Sequence, residues 1–271
     1  MSIPTTSTTP WSVAGKTAIV TGGSRGIGRA IAIHLARKGI SKVAITYASN
    51  VKAAEATLEQ LRILGVRDAA AIRADALDPN FASIVVSEVF KKLDTKVVDI
   101  LVNNAVLTDH AKLLPIKEAT LENFLEVMQG NVYAPLSMAT KLLPYLPEYG
   151  GRVINISSAL AYQGNPDPFF TYGASKAALQ AYTRSFADAF GKKTKATFNS
   201  VVVGPTDTDS VKLSQEFLDA LVRDTTAADR IGVPDDIAYI VGFLSSEEGR
   251  WINGAAISAN GGSKAIMPAL G

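Results

Sequence analysis

Cysteine is absent from all 271 residues. That excludes disulfides, a thiolate nucleophile and any cysteine-held zinc. Histidine is nearly as scarce, with His34 and His110 as its two copies. A catalytic metal centre draws on several His, Cys or acidic ligands, so no metal site is expected. An excess of one charge is also missing, since 27 Lys and Arg stand against 25 Asp and Glu. Basic runs do not extend beyond pairs such as Lys192-Lys193, and nucleic acid is therefore not an expected partner. No uncharged apolar stretch reaches the roughly 18 residues that span a bilayer, so no membrane partner is expected. The opening MSIPTTSTTPWS lacks a basic n-region and an apolar h-region and reads as a flexible tail rather than a signal peptide. A soluble, cytoplasmic protein is the expectation.

What is present is a rhythm. Short apolar runs at Thr17–Val20, Lys42–Thr46, Ala69–Arg73, Asp99–Val102, Arg152–Ile156, Thr197–Val203 and Ala255–Ser258 predict strands. They are continuous rather than alternating, as parallel strands covered on both faces require. Amphipathic stretches such as Gly28–Lys38, Lys52–Leu64, Phe81–Lys92 and Ala174–Phe190 separate them. The fold class predicted is α/β: one doubly wound domain with a seven-stranded parallel sheet and helices on both faces. Its limits are set at residues 14–262, with tails at 1–13 and 263–271. A polar, helix-prone insertion at about 206–226 breaks the rhythm and is a candidate substrate lid.

The first strand runs into Thr21-Gly22-Gly23-Ser24-Arg25-Gly26-Ile27-Gly28, and a helix follows. Glycines there let backbone amides approach a pyrophosphate, and the helix N-terminus adds free N–H groups and positive potential. On the first strand–helix turn of such a chain this is a strong sign of dinucleotide binding. An NAD site usually carries an acid at the end of the second strand. Here that stretch reads Thr46-Tyr47-Ala48-Ser49-Asn50, and the first acid afterwards is Glu55, inside a helix. A 2′-phosphate is thus tolerated, with Arg25 to pair with it and Ser24 and Ser49 to donate hydrogen bonds. NADP(H) is the predicted cofactor.

Tyr172 and Lys176 stand four apart, on one face of a helix. An ammonium one turn away is expected to favour the phenolate and bring the phenol below its usual pKa of about 10. That would suit a general acid for a carbonyl becoming an alkoxide. The spacing alone is close to a chance pair. Its weight comes from the strand ending in Ser157-Ser158, at the sheet edge where α/β sites collect. A serine there can hydrogen-bond a carbonyl oxygen as negative charge develops.

In order and spacing, Thr21–Gly28, Asn103-Asn104-Ala105, Asn131, Ser158, Tyr172 with Lys176 and the Gly204–Thr208 segment resemble the short-chain dehydrogenase/reductase family. The likeness covers about residues 14–262 and leans towards fungal ketoreductases of the naphthol-reductase and 3-oxoacyl-reductase type. It implies a Rossmann fold and reduction of a ketone or other carbonyl to a secondary alcohol. Tyr172 would be the proton donor, Lys176 would also hold the nicotinamide ribose, Ser158 would orient the carbonyl, and Asn131 would hold a water in a proton relay. Asp75 and Ala76 would lie at the adenine, Asn104 and Ala105 along the adenine-ribose path, and Gly204, Thr206 and Thr208 at the nicotinamide amide and phosphates. It further implies a homodimer or homotetramer built on the Tyr172 helix and the Thr120–Leu143 helix. Two departures stand out: Val106 follows Ala105 where the family has glycine, and Val203-Gly204-Pro205 replaces its Pro-Gly.

Other residues read both ways. His34 reads as a structural helix residue, His110 as a loop residue bordering the pocket, and Asn165–Phe170 as a stiff pocket wall. Competing functions are a non-redox cyclase or isomerase and a cofactor-sensing binding protein. The intact Ser158, Tyr172 and Lys176 argue against both.

Overall fold

The seven apolar runs become seven strands: β1 Thr17–Val20, β2 Lys42–Tyr47, β3 Asp68–Arg73, β4 Ile100–Asn103, β5 Arg152–Ser158, β6 Thr197–Val203 and β7 Ala256–Ala259. The computed structural model describes residues 10–107, 113–208 and 214–266. All strand pairs are parallel, in the order β3-β2-β1-β4-β5-β6-β7. The chain therefore winds outwards from β1 in one direction, then restarts at β4 in the other. A crevice opens where the winding reverses, at the carboxyl ends of β1 and β4.

The helices are α1 Gly26–Arg37, α2 Val51–Ile63, α3 Phe81–Lys92, α4 Leu121–Met128, α5 Ala134–Leu142, α6 Phe170–Thr194, α7 Gln215–Asp224 and α8 Pro234–Ser245. Alternate strand residues feed two cores. Val20, Ile45, Val102, Ile154 and Val201 pack with α1 and α8, while Ile19, Ala44, Leu101 and Val153 pack with α3, α5 and Phe198. Burial on both faces is why these strands are apolar without alternation.

Differences from the sequence reading have local causes. Asp99, expected in β4, instead accepts the Thr17 N–H at 2.8 Å through its carboxylate and precedes the strand. The single helix expected over Thr120–Leu143 is broken by a π-turn at Gln129–Tyr133, with the Ala134 N–H reaching back to the Gln129 carbonyl. Pro135 explains the break, because its ring cannot sit against the Asn131 carbonyl in a regular α-helix and it has no N–H to offer. The ends expected as tails are partly packed: Val13 and Ile266 are fully buried, and Trp11 stacks edge-on against Phe243. In the expected lid, α7 is held by its last residue, Asp224, which bonds the Ser263 hydroxyl and accepts the Ala265 N–H at 3.2 Å. His34 is buried against the ring of Tyr239, and burial lowers its pKa. His110 lies outside the described residues.

Candidate active site

The crevice is a cleft of about 820 Å³ running from the glycine loop to α6. Gly22 turns the chain at φ +64, and a Cβ there would sit 3.0 Å from the Ala105 Cα. Glycine is thus required where the loops after β1 and β4 touch. Gly28 serves packing instead, since a Cβ on it would overlap the Gly22 carbonyl. It does not line the cleft. No side chain caps the start of α1, and no acid stands in its first turn. Its first amides and positive end are therefore left facing the cleft that Gly22, Ser24, Arg25, Gly26 and Ile27 line.

Two threonines that the sequence reading passed over brace this loop. The Thr21 hydroxyl accepts the N–H groups of Asn104 and Ala105, each at 2.9 Å. The Thr46 hydroxyl accepts the Gly22 N–H at 2.9 Å. Asn104 lines the cleft as expected, and its side-chain amide also donates to the Thr21 and Gly22 carbonyls at 2.9 and 3.1 Å. Their only sequence signal was a hydroxyl at a strand end beside a glycine loop.

The opposite wall is where β5 meets α6. Ser158 ends β5 and accepts the Leu160 N–H at 3.2 Å. Its hydroxyl also hydrogen-bonds the Tyr172 phenol, which stands in the first turn of α6. One turn on, the Lys176 ammonium donates to the Ile156 carbonyl at 3.0 Å and lies 5.7 Å from the Tyr172 ring centroid. Ser158, Tyr172 and Lys176 line the same cleft as the glycine loop. Ser157 lines it too, but its hydroxyl is engaged by Gln180 at 2.7 Å, so Ser158 is the serine directed at the phenol.

The electrostatics correct the sequence reading. Burial is the dominant effect on both groups, since low dielectric disfavours each charged form. It pushes the Tyr172 phenol up to about 12, against the smaller downward pull of the Ser158 hydrogen bond. It brings Lys176 down to about 8. Tyr172 is thus a phenol that keeps its proton at neutral pH, and Lys176 an ammonium close to releasing one. The expected lowering of the phenol by Lys176 is not found: desolvation dominates, and the opposing pull is that of Ser158.

Of the other expected residues, Tyr47, Ala48, Asp75, Ala76, Ala105, Gly204, Thr206 and Thr208 line the cleft. Ser49 does not; it is exposed just before α2, and its carbonyl accepts the Val51 N–H at 3.1 Å. Asn131 is buried behind the wall, and its side chain is committed. It accepts the Leu107 N–H at 2.8 Å and donates to the Ser175 hydroxyl at 3.2 Å, tying the loop after β4 to α6. None of residues 165–170 lines the cleft; the Asn165 amide instead bonds the Leu160 carbonyl at 2.9 Å beside Gly173. Val106, the departure from the family pattern, lines it and is 39% exposed, so its bulk faces the cleft rather than the core.

A family model described as "Enoyl-(Acyl carrier protein) reductase" matches residues 22–264. The chain is 55% identical to the short chain dehydrogenase penD of Penicillium thymicola over 266 residues, which are 96% of each chain. It is 36% identical to the hydroxynaphthalene reductase arp2 of Aspergillus fumigatus, over 91% of both. A crystal structure of a short chain dehydrogenase from Burkholderia cenocepacia in complex with NADP superposes with a TM-score of 0.83 at 36% identity, covering 92% of this chain and 97% of that one.

Proposed function

Since the chain belongs to the short-chain dehydrogenase/reductase family, we propose that it reduces a ketone or other carbonyl to a secondary alcohol with NADPH, Tyr172 supplying the proton. One observation carries this reading: the Ser158–Tyr172 pair and Lys176 lie on the wall of a cleft whose far end is the uncapped start of α1. The cleft fits the cofactor, with a glycine turn that no Cβ could enter and Arg25, exposed at the rim, as the cation for a 2′-phosphate. When bound, the nicotinamide supplies the hydride. Ser158 holds the carbonyl oxygen by a hydrogen bond that strengthens as charge develops on it. Tyr172 enters the reaction protonated, and the growing alkoxide, a far stronger base, takes its proton. The Lys176 charge beside the phenol stabilises the phenolate left behind.

NADPH consumption with a panel of aromatic and β-keto compounds tests the assignment. Tyr172→Phe should abolish turnover while leaving the NADPH dissociation constant near that of the parent, and turnover that survives it would overturn the mechanism. NADPH should bind more tightly than NADH, and Arg25→Ala should weaken NADPH selectively. Tighter NADH binding would reject the cofactor assignment.

A further inference from the structure

We propose that Gln180, acting through Ser157, is a positioning residue of this site that sets the register between β5, which carries Ser158, and α6, which carries Tyr172 and Lys176. The inference rests on the reading of Tyr172 as proton donor and adds to it a pair of side chains that touch no reacting atom.

Four consecutive residues of β5 are bonded to one stripe of α6. The Asn155 amide donates to the Thr183 hydroxyl at 2.8 Å, and the Ile156 carbonyl accepts the Lys176 ammonium at 3.0 Å. The Ser157 hydroxyl accepts from the Gln180 amide at 2.7 Å and donates to the Lys176 carbonyl at 3.4 Å. The Ser158 hydroxyl meets the Tyr172 phenol. On the helix these partners are Tyr172, Lys176, Gln180 and Thr183, spaced 4, 4 and 3, which is one face of an α-helix.

Gln180 and Ser157 are 4% and 2% exposed, so neither serves solvent or the surface. A buried amide and hydroxyl satisfy each other or cost the full desolvation of both, which makes their bond a strong constraint on where the two backbones sit. Its place in the ladder matters. It is the rung next to the reacting groups, and it grips the backbone carbonyl of Lys176 itself. Sliding α6 along β5 would break this bond and move the phenol away from Ser158 together. A misplacement of about 1 Å at reacting groups costs up to about 10²-fold in rate.

The test uses the full chain with NADPH and a ketone that the parent enzyme turns over. Ser157→Val keeps the shape of threonine and loses the hydroxyl, whereas Ser157→Thr keeps the hydroxyl. Gln180→Met keeps the length and loses the amide. Ser157→Val and Gln180→Met should each lower kcat on the order of tenfold or more with KM little changed, because the groups that bind are intact. Ser157→Thr should restore most of the rate. The double variant should be no slower than the worse single one, since both remove the same bond. The alkaline limb of the pH–rate profile should also move, because Lys176 shifts with its carbonyl.

Melting temperature is followed for each variant, with Glu247→Ala, at the opposite sheet edge, as the destabilised comparator. Singles with parental kcat and pH profile, or losses that add in the double variant, would overturn the proposal. So would an equal loss of kcat in a Glu247→Ala enzyme of the same melting temperature. If Ser157→Val does not fold, Gln180→Met decides alone. Tyr172→Phe in the same assay separates the two levels: its inactivity beside unaffected Gln180→Met rejects only the positioning role. Its full activity rejects the proton donor and the positioning role with it.

Discussion

At the residue scale, the site sets two ionisable side chains in a low-dielectric wall that disfavours the charged form of each. Lys176 is 3% exposed and brought down to about 8 from an ordinary 10.5. In the unfolded chain it binds its proton more tightly, so the folded state bears the cost of a buried charge at every pH below about 8. That cost is relieved as pH rises from about 8 towards 10.5, where stability gains from this group. Lys176→Met should therefore raise stability at pH 7 by up to about 3 kcal/mol, and the advantage should shrink through that window. Thermal unfolding at pH 7 and pH 10 checks it; an advantage that grows with pH would be the wrong sign. In the parent enzyme, kcat/KM for reduction should fall as pH rises through about 8, while Tyr172, at about 12, keeps its proton throughout.

At the scale of elements, α6 explains what periodicity did and did not reveal. Its buried stripe holds Ser175, Lys176, Gln180 and Thr183 as well as Leu179 and Ala187, so an apolar pattern marks only part of its contact face. Sequence placed Tyr172 on this helix and marked its amphipathic stretch at Ala174–Phe190; the helix runs Phe170–Thr194, so Tyr172 stands in its first turn. The π-turn at Gln129–Tyr133 was invisible for a related reason: proline signals a local disturbance but not which hydrogen-bond pattern absorbs it. At its far end α6 stops on Lys195, exposed and left-handed at φ +52. Such a backbone strains any residue with a Cβ, so Lys195→Gly should stabilise the protein by about 1 kcal/mol, read as a rise in denaturation midpoint.

At the scale of the whole molecule, the two edges of the sheet divide the labour. The cleft lies at the carboxyl edge. At the amino edge, Arg152 is 1% exposed and bonds the Ser246 and Gly151 carbonyls, and its guanidinium pairs with Glu247 at 3.3 Å. Lys16 is close enough that burial and the Arg152 charge both lower its pKa, with Glu247 opposing them. Removing that one carboxylate leaves a buried cation without its partner, so Glu247→Ala should cost about 3 kcal/mol while kcat stays at the parental value. Elsewhere, Leu121, Phe124 and Leu125 on α4 and Tyr182 on α6 stand 44–73% exposed. A second copy of the chain covering this face is our reading of them. Sedimentation velocity at micromolar concentration should then show a dimer or tetramer, and monomer alone would reject it.

The sequence by itself determined the strand–helix order and the glycine loop, because each is written locally: a doubly covered strand must be apolar, and a turn against a backbone must be glycine. It also singled out Ser158, Tyr172 and Lys176, which the fold brings to one cleft wall. Only the tertiary structure decided how those groups behave. Desolvation, a property of everything packed around a residue, governs both Tyr172 and Lys176 and pushes the phenol up instead of down. The same holds for Asn131, Thr21, Thr46 and Gln180, whose bonds run to residues 23 to 84 positions away. No local stretch of sequence contains both partners.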